Sequence, residues 1–260
     1  MNTLLKILKY QILDVLRSKW VIAYTLFFAL ATEGLLRFGG DSAKAIVSLL
    51  NIVLILIPLA SIIFGTLYIY NAREFVEMIL AQPIQRRVLF LGMFGGLVLP
   101  FAGAFIVGAG IPFIIHHKEY SATLLTLFIC GIVLTVVFIA IACWIATTFD
   151  DKASGIGAAF GVWLFFSVVY DGLVLLIITT FSDYPLETPT IALSVLNPID
   201  LARIIVMLKF DIAALLGYTG AVFEKFFGTI NGILISGCAL LLWIVLPLTA
   251  GIRTFTRKNF

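Results

Sequence analysis

Five charged residues stand close together in NAREFVEMILAQPIQRR, Asn71 to Arg87, between two long apolar runs. On a helical wheel Arg73, Glu74 and Glu77 share one face, while Phe75, Val76, Ile79 and Leu80 share the other. Gln82 and Pro83 end the helix, because the residue before a proline disfavours helical backbone. Patterning leaves two readings open: a charged face offered to a protein partner, or a solvated helix resting on lipid. A second reactive group, Asp171, lies inside the apolar run FFSVVYDGLVLLII beside Tyr170 and Gly172. A carboxylate at membrane depth is costly, so it is expected to face a bundle interior or cavity. There it binds or relays a cation, or it hydrogen-bonds a neighbouring helix.

Other familiar chemistries find little material. His116 and His117 are the only histidines, and adjacent positions on a helix do not face one site. No metal site is predicted from them. Cys130, Cys143 and Cys238 fall in apolar runs without a C-x-x-C pair, and read as small core residues. No G-x-x-x-x-G-K-[ST] occurs, so the chain lacks a P-loop and is not expected to be an ATPase. No basic tract suggests nucleic acid.

These residues must be held by membrane helices. The chain is 62% hydrophobic and 12% charged, with a mean hydropathy of +1.15. Soluble domains run at about 45–50% and about 25%. Six runs reach the roughly 20 apolar residues a span requires: 20–36, 45–70, 88–115, 120–148, 156–180 and 229–252. They use most of the chain, so residues 1–260 are expected to form a single all-α membrane domain.

With both termini in the cytoplasm, the inner segments carry Lys6, Lys9, Arg17, Lys19, Arg73, Arg86, Arg87, Lys152, Arg253, Arg257 and Lys258. The short outer loops carry only Arg37, Lys44 and Lys118, which fixes that orientation. Residues 1–18 form an amphipathic interfacial helix with an apolar stripe of Leu4, Leu5, Leu8, Ile12, Val15 and Leu16. Glu33 and Arg37 are spaced to pair on one helix face. Gly92 with Gly96, and Gly157 with Gly161, are spaced for close helix packing between spans or between two copies of the chain. The segment 181–228 reads as short outer helices that dip partway into the membrane; Asn197 caps one and Pro198 takes its first turn.

Together, six spans, a surface helix and REFVEMILAQPIQRR resemble the ABC transporter permeases of the type-2 exporter class. VVYDG around Asp171, LNPIDLARI from Leu196 and GYTGAVFEKFFG from Gly217 look like those members that serve maturation of the copper sites of nitrous oxide reductase. The resemblance implies an inner-membrane homodimer with two ATPase subunits beneath and a periplasmic accessory protein above. ATP and Mg would bind the ATPase, and this chain would carry no cofactor. The segment 71–87 would be the coupling segment, with Arg73, Glu74, Phe75, Glu77 and Met78 in contact with the ATPase. Asp150 and Asp151 in FDDKASG would add a second contact, and Asn197, Pro198, Asp200 and Arg203 would face the outer partner. Met207 is the one methionine in the outer segment and no cysteine lies there, a departure from a copper conduit. The same architecture also suits a generic exporter of a lipid-like or small hydrophobic substrate, or a mechanical subunit that moves no substrate.

Overall fold

The computed structural model describes residues 3–38, 42–116, 122–181, 187–208 and 230–258. All regular structure among them is helical. The order is α1 (Thr3–Leu16), α2 (Lys19–Phe38), α3 (Ser42–Asn71), α4 (Arg73–Leu80), α5 (Arg86–Ile115), α6 (Ala122–Thr148), α7 (Lys152–Leu164), a π turn (Phe165–Val169), α8 (Tyr170–Thr180), α9 (Glu187–Val195), α10 (Pro198–Met207) and α11 (Ile230–Arg257). Six helical stretches are long and apolar enough to cross a membrane: α2, α3, α5, α6, the α7–π–α8 stretch and α11. These are the six expected runs. The sequence segments Lys209 to Gly228, which include GYTGAVFEKFFG, and the pair His117–Lys118 lie outside the described residues.

The spans surround a core in which α3, α5 and α6 are central. Leu49, Leu50, Leu54 and Ile57 of α3, Leu97 and Phe105 of α5, and Leu134 and Phe138 of α6 are fully buried in one cluster. Lipid tails are as apolar as these side chains, so close van der Waals packing rather than water exclusion holds such a bundle. α1, α4, the start of α5, the α6–α7 turn and the end of α11 meet at one end, called here the basic end. At the other end Glu33 pairs with Arg37 at 2.5 Å, as its spacing predicts. His116, at the end of α5, joins them at 3.0 Å from Glu33.

The two glycine pairs behave differently. Gly92 and Gly96 of α5 do not seat another span. A Cβ at Gly92 would lie 2.7 Å from Ile7, and one at Gly96 would lie 2.4 Å from Gln11, so they seat the surface helix α1. Gly157 and Gly161 of α7 have nothing within 4 Å of an added Cβ. The α1 stripe is also rotated from the expected one. Ile7, Gln11 and Val15 are buried, whereas Leu5 and Leu16 are exposed. Gln11 is tolerated on the buried face because the Tyr68 hydroxyl donates to it.

The fifth span is the most peripheral. Of α7 only Gly155 and Ala159 are buried, and of α8 only Tyr170. Phe160, Leu164, Phe165, Val168, Leu173, Leu175 and Leu176 are all exposed. α9 and α10 meet at a 110° bend, the geometry of a broken span or a re-entrant hairpin.

Candidate functional site

The basic end is built around a short rigid corner. One residue, Ala72, separates α3 from α4, and backbone bonds continue through it: Ala72 N–H to Tyr68 O and Val76 N–H to Ala72 O, both 2.9 Å. Val76 and Ile79 of α4 are buried, and Phe75 stacks on Tyr10 of α1 with ring centroids 5.2 Å apart. Glu74, Glu77 and Met78 point outward, with Met78 61% exposed. The predicted split between an apolar and a charged face is therefore present. Arg73, placed with the charged face, folds back onto the protein: its guanidinium lies 4.9 Å from the Tyr70 ring centroid and 3.4 Å from the Phe149 carbonyl.

That carbonyl belongs to the second sequence segment predicted to serve a partner, Phe149 to Gly155. The Tyr70 hydroxyl donates to Phe149 O at 2.9 Å, and Lys152 Nζ donates to Asn71 Oδ1 at 2.9 Å. Gly155 makes room for the Tyr70 ring, since an added Cβ would come within 2.0 Å of the Tyr70 hydroxyl and force it to shift. The two segments, far apart in sequence, thus form one platform. Asp151 caps α7, accepting from Ser154 N at 2.8 Å and Ser154 Oγ at 2.9 Å. The bond from the Ser154 backbone N–H is the largest influence holding the Asp151 carboxyl below the usual range.

The C-terminal helix clamps the platform from behind. Lys258 Nζ donates to Thr147 O, at the end of α6, at 3.1 Å and pairs with Asp150 at 2.7 Å. The Lys258 hydrogen bond holds the Asp150 carboxyl below its ordinary value. Arg86 in turn donates to the Thr256 and Lys258 carbonyls, at 3.1 and 2.7 Å. Cations thus sit where helix C-termini leave carbonyls without intrahelical partners. From the sequence, Arg86 and Lys258 count only among the inner cations that set the orientation. Their contacts cross 170 and 111 residues, so no local pattern signals them.

A second polar cluster lies deep in the fifth span. In the π turn the Tyr170 N–H reaches back to Phe165 O, one residue further than an α-helix would. This frees the Phe166 carbonyl, and Asn197 Nδ2 donates to it at 3.0 Å. Phe166 is roughly 20 Å along the helix from Lys152 at 1.5 Å per residue, well inside the span. Asn197 also caps α10 by accepting from Ile199 N at 3.0 Å, and it donates to Asp200 Oδ2 at 3.0 Å. Arg203 bridges Asp171 (3.1 Å) and Asp200 (3.0 Å). The Tyr170 hydroxyl donates to Leu193 O at 2.6 Å, tying α9 to the same point.

Asp171 was expected to face a bundle interior or cavity. It instead lies at a partly exposed surface, and its partner is the Arg203 guanidinium of α10. Of the residues expected to meet an outer partner, Asn197 and Pro198 are buried within the chain, and Asp200 and Arg203 are engaged in this latch. Among the described residues no group of three or more His, Cys, Asp or Glu side chains is placed to hold a metal ion. Cys130 and Cys143 are buried, and Cys238 is exposed on α11.

No family model matches the chain. The "Probable ABC transporter permease protein NosY" of Pseudomonas aeruginosa is 30% identical over 228 residues, covering 80% of this chain and 82% of that protein. The protein of the same name from Stutzerimonas stutzeri is 28% identical over 231 residues, covering 81% and 83%.

Proposed function

The chain belongs to the ABC transporter permeases of the NosY type, and from that premise we propose that it converts ATP hydrolysis by a separate ATPase into movement at the opposite membrane face. One observation carries this reading. Two segments distant in sequence, α4 and the α6–α7 turn, are bonded into one platform through Tyr70, Arg73 and Phe149. The platform exposes Glu74, Glu77, Met78, Asp150 and Asp151 to the space beyond the bundle. It suits a protein that seats against it, with ATP and Mg held by that protein.

The mechanism follows from the connections. A push on α4 bears on α3 through Ala72 and on the start of α7 through Phe149 and Lys152. α7 leads through the π turn to the Asn197–Phe166 bond and the Asp171–Arg203–Asp200 pairs. These bonds would pass the displacement to the α9–α10 hairpin. The exposed apolar side of α7 and α8, with its open Gly157 and Gly161, is the face we assign to a second copy of the chain. The cations gathered at the basic end support cytoplasmic termini and an inner-membrane location.

We assign the periplasmic step to maturation of nitrous oxide reductase copper sites, with an accessory protein at that face. Mechanical drive suits the chain better than passage of copper itself, because the described residues offer no thiol or thioether cluster along α9 and α10. The test is a cysteine at Met78, used for zero-length cross-linking to the ATPase in membranes. A cross-link to a cysteine on the ATPase whose yield changes between nucleotide-free and ATP-bound membranes supports the reading. Robust uptake of a lipid-like solute by vesicles would assign a generic exporter instead.

A further inference from the structure

A polar cleft of about 410 Å³ opens at the basic end between the last turns of α6 and α11. Thr147, Thr148, Asp150, Arg253, Arg257 and Lys258 help to line it. Its charge is unbalanced. Asp150 is taken by Lys258 at 2.7 Å, and neither Arg253 nor Arg257 forms an ion pair among the described residues. The two arginines are four apart on one helix, a spacing at which like charges repel. They therefore favour an anion between them.

The face they stand on says which anion. Leu242, Leu246 and Thr249 are exposed along α11, and Arg253 and Arg257 continue that line at the same helical spacing. A stripe bathed by acyl chains thus ends in two guanidinium groups. Gly251 lies against Trp144 of α6, 3.4 Å from an added Cβ to the Trp144 Cα. Trp144 is partly exposed, as tryptophans at the lipid–water boundary are. The cleft begins one turn beyond it, at headgroup level. We propose that this cleft binds the headgroup of an anionic phospholipid, with Arg253 and Arg257 as the phosphate ligands and the lipid's tails along the Leu242–Leu246 stripe.

Guanidinium groups suit phosphate because their donors form a planar fork, and basic pockets between helix ends are a recurrent headgroup site. Lys258 is not counted as a ligand, since Thr147 O and Asp150 already hold its ammonium.

The full chain in neutral detergent, titrated with phosphatidylglycerol and phosphatidylcholine and read by native mass spectrometry, tests the proposal. Phosphatidylglycerol is expected to bind roughly thirtyfold more tightly, a factor equal to about 2 kcal/mol, as two basic residues near an anionic lipid surface supply. The R253Q/R257Q variant should lose that preference, while R17Q, which removes an exposed cation at the same end, should keep it. Equal binding of the two lipids by the unaltered chain overturns the proposal, as does a preference that survives in the double variant. Displacement of phosphatidylglycerol by inorganic phosphate at matched concentration would make this a free-anion site and overturn the lipid assignment.

Discussion

The platform at the basic end and the latch at Asn197 are both polar, yet they are built on different rules. At the platform the side chains Glu74 and Glu77 face outward with no ion pair among the described residues, and Asp150, also exposed, makes a single one to Lys258. In the latch Asn197 is fully buried, and its amide is used in both directions. The difference is depth. A polar group within reach of water can be left free, whereas one deep in a span must be satisfied by the protein. Exposed charges are therefore available for recognition, and buried ones are committed to holding helices together.

That contrast is broken most sharply at Asn197. Asn197→Ala removes the α10 cap, about 1 kcal/mol, and orphans the Phe166 carbonyl, about 1–3 kcal/mol. Thermal unfolding in detergent should show a loss of about 2–4 kcal/mol on those grounds. A variant as stable as the parent would mean that the latch is not structural. Next in size is Gly155→Ala, whose new methyl meets the Tyr70 hydroxyl at 2.0 Å. Overpacking of this kind costs about 1–3 kcal/mol. It should also break the Tyr70–Phe149 bond and lower ATP-coupled activity more than Gly103→Ala on α5, which has open space around it.

A smaller effect is expected at the partly exposed Asp171–Arg203 pair. A double-mutant cycle with Asp171→Asn and Arg203→Gln should return about 1 kcal/mol of coupling, the range of solvent-accessible pairs. Zero coupling would remove Asp171 from the latch. The smallest is a pH effect at the platform. Asp150 and Asp151 have folded values lowered from the ordinary carboxylate range. Their contribution is present above about pH 4, the unfolded value, and is lost as pH falls through the lowered folded value. Asp150→Asn should flatten the acid limb of a stability-against-pH curve, with a small loss at about pH 7 to 8 that disappears once the parent's Asp150 is protonated. Steepening of that limb would reverse the sign argued here.

Much of this was legible in the chain because the relevant signals are local. Six apolar runs gave six candidate spans, and the wheel over Arg73 to Leu80 separated Glu74 and Glu77 from Val76 and Ile79 as the structure does. Asn197–Pro198 marked a helix start for the same reason. The α1 stripe was misplaced because a buried polar residue, Gln11, belongs to it, and only Tyr68, 57 residues away, explains that burial. Glycine spacing identified close packing but not the neighbour, so Gly92 and Gly96 turned out to seat α1. The π turn left no trace: FFSVV contains neither glycine nor proline, and Asn197, which takes the freed Phe166 carbonyl, lies 31 residues away.

The central claim is that α4 seats an ATPase through its exposed charges. The most direct measurement is co-purification of the chain with that ATPase, with ATP turnover, for the Glu74→Lys/Glu77→Lys variant beside the unaltered chain. Both side chains are exposed and unpaired among the described residues, so thermal stability should stay within about 0.5 kcal/mol. The complex should be lost or its turnover reduced at least tenfold, about 1.4 kcal/mol or more on the scale of that change. A variant that retains both the complex and its ATPase activity would contradict the account.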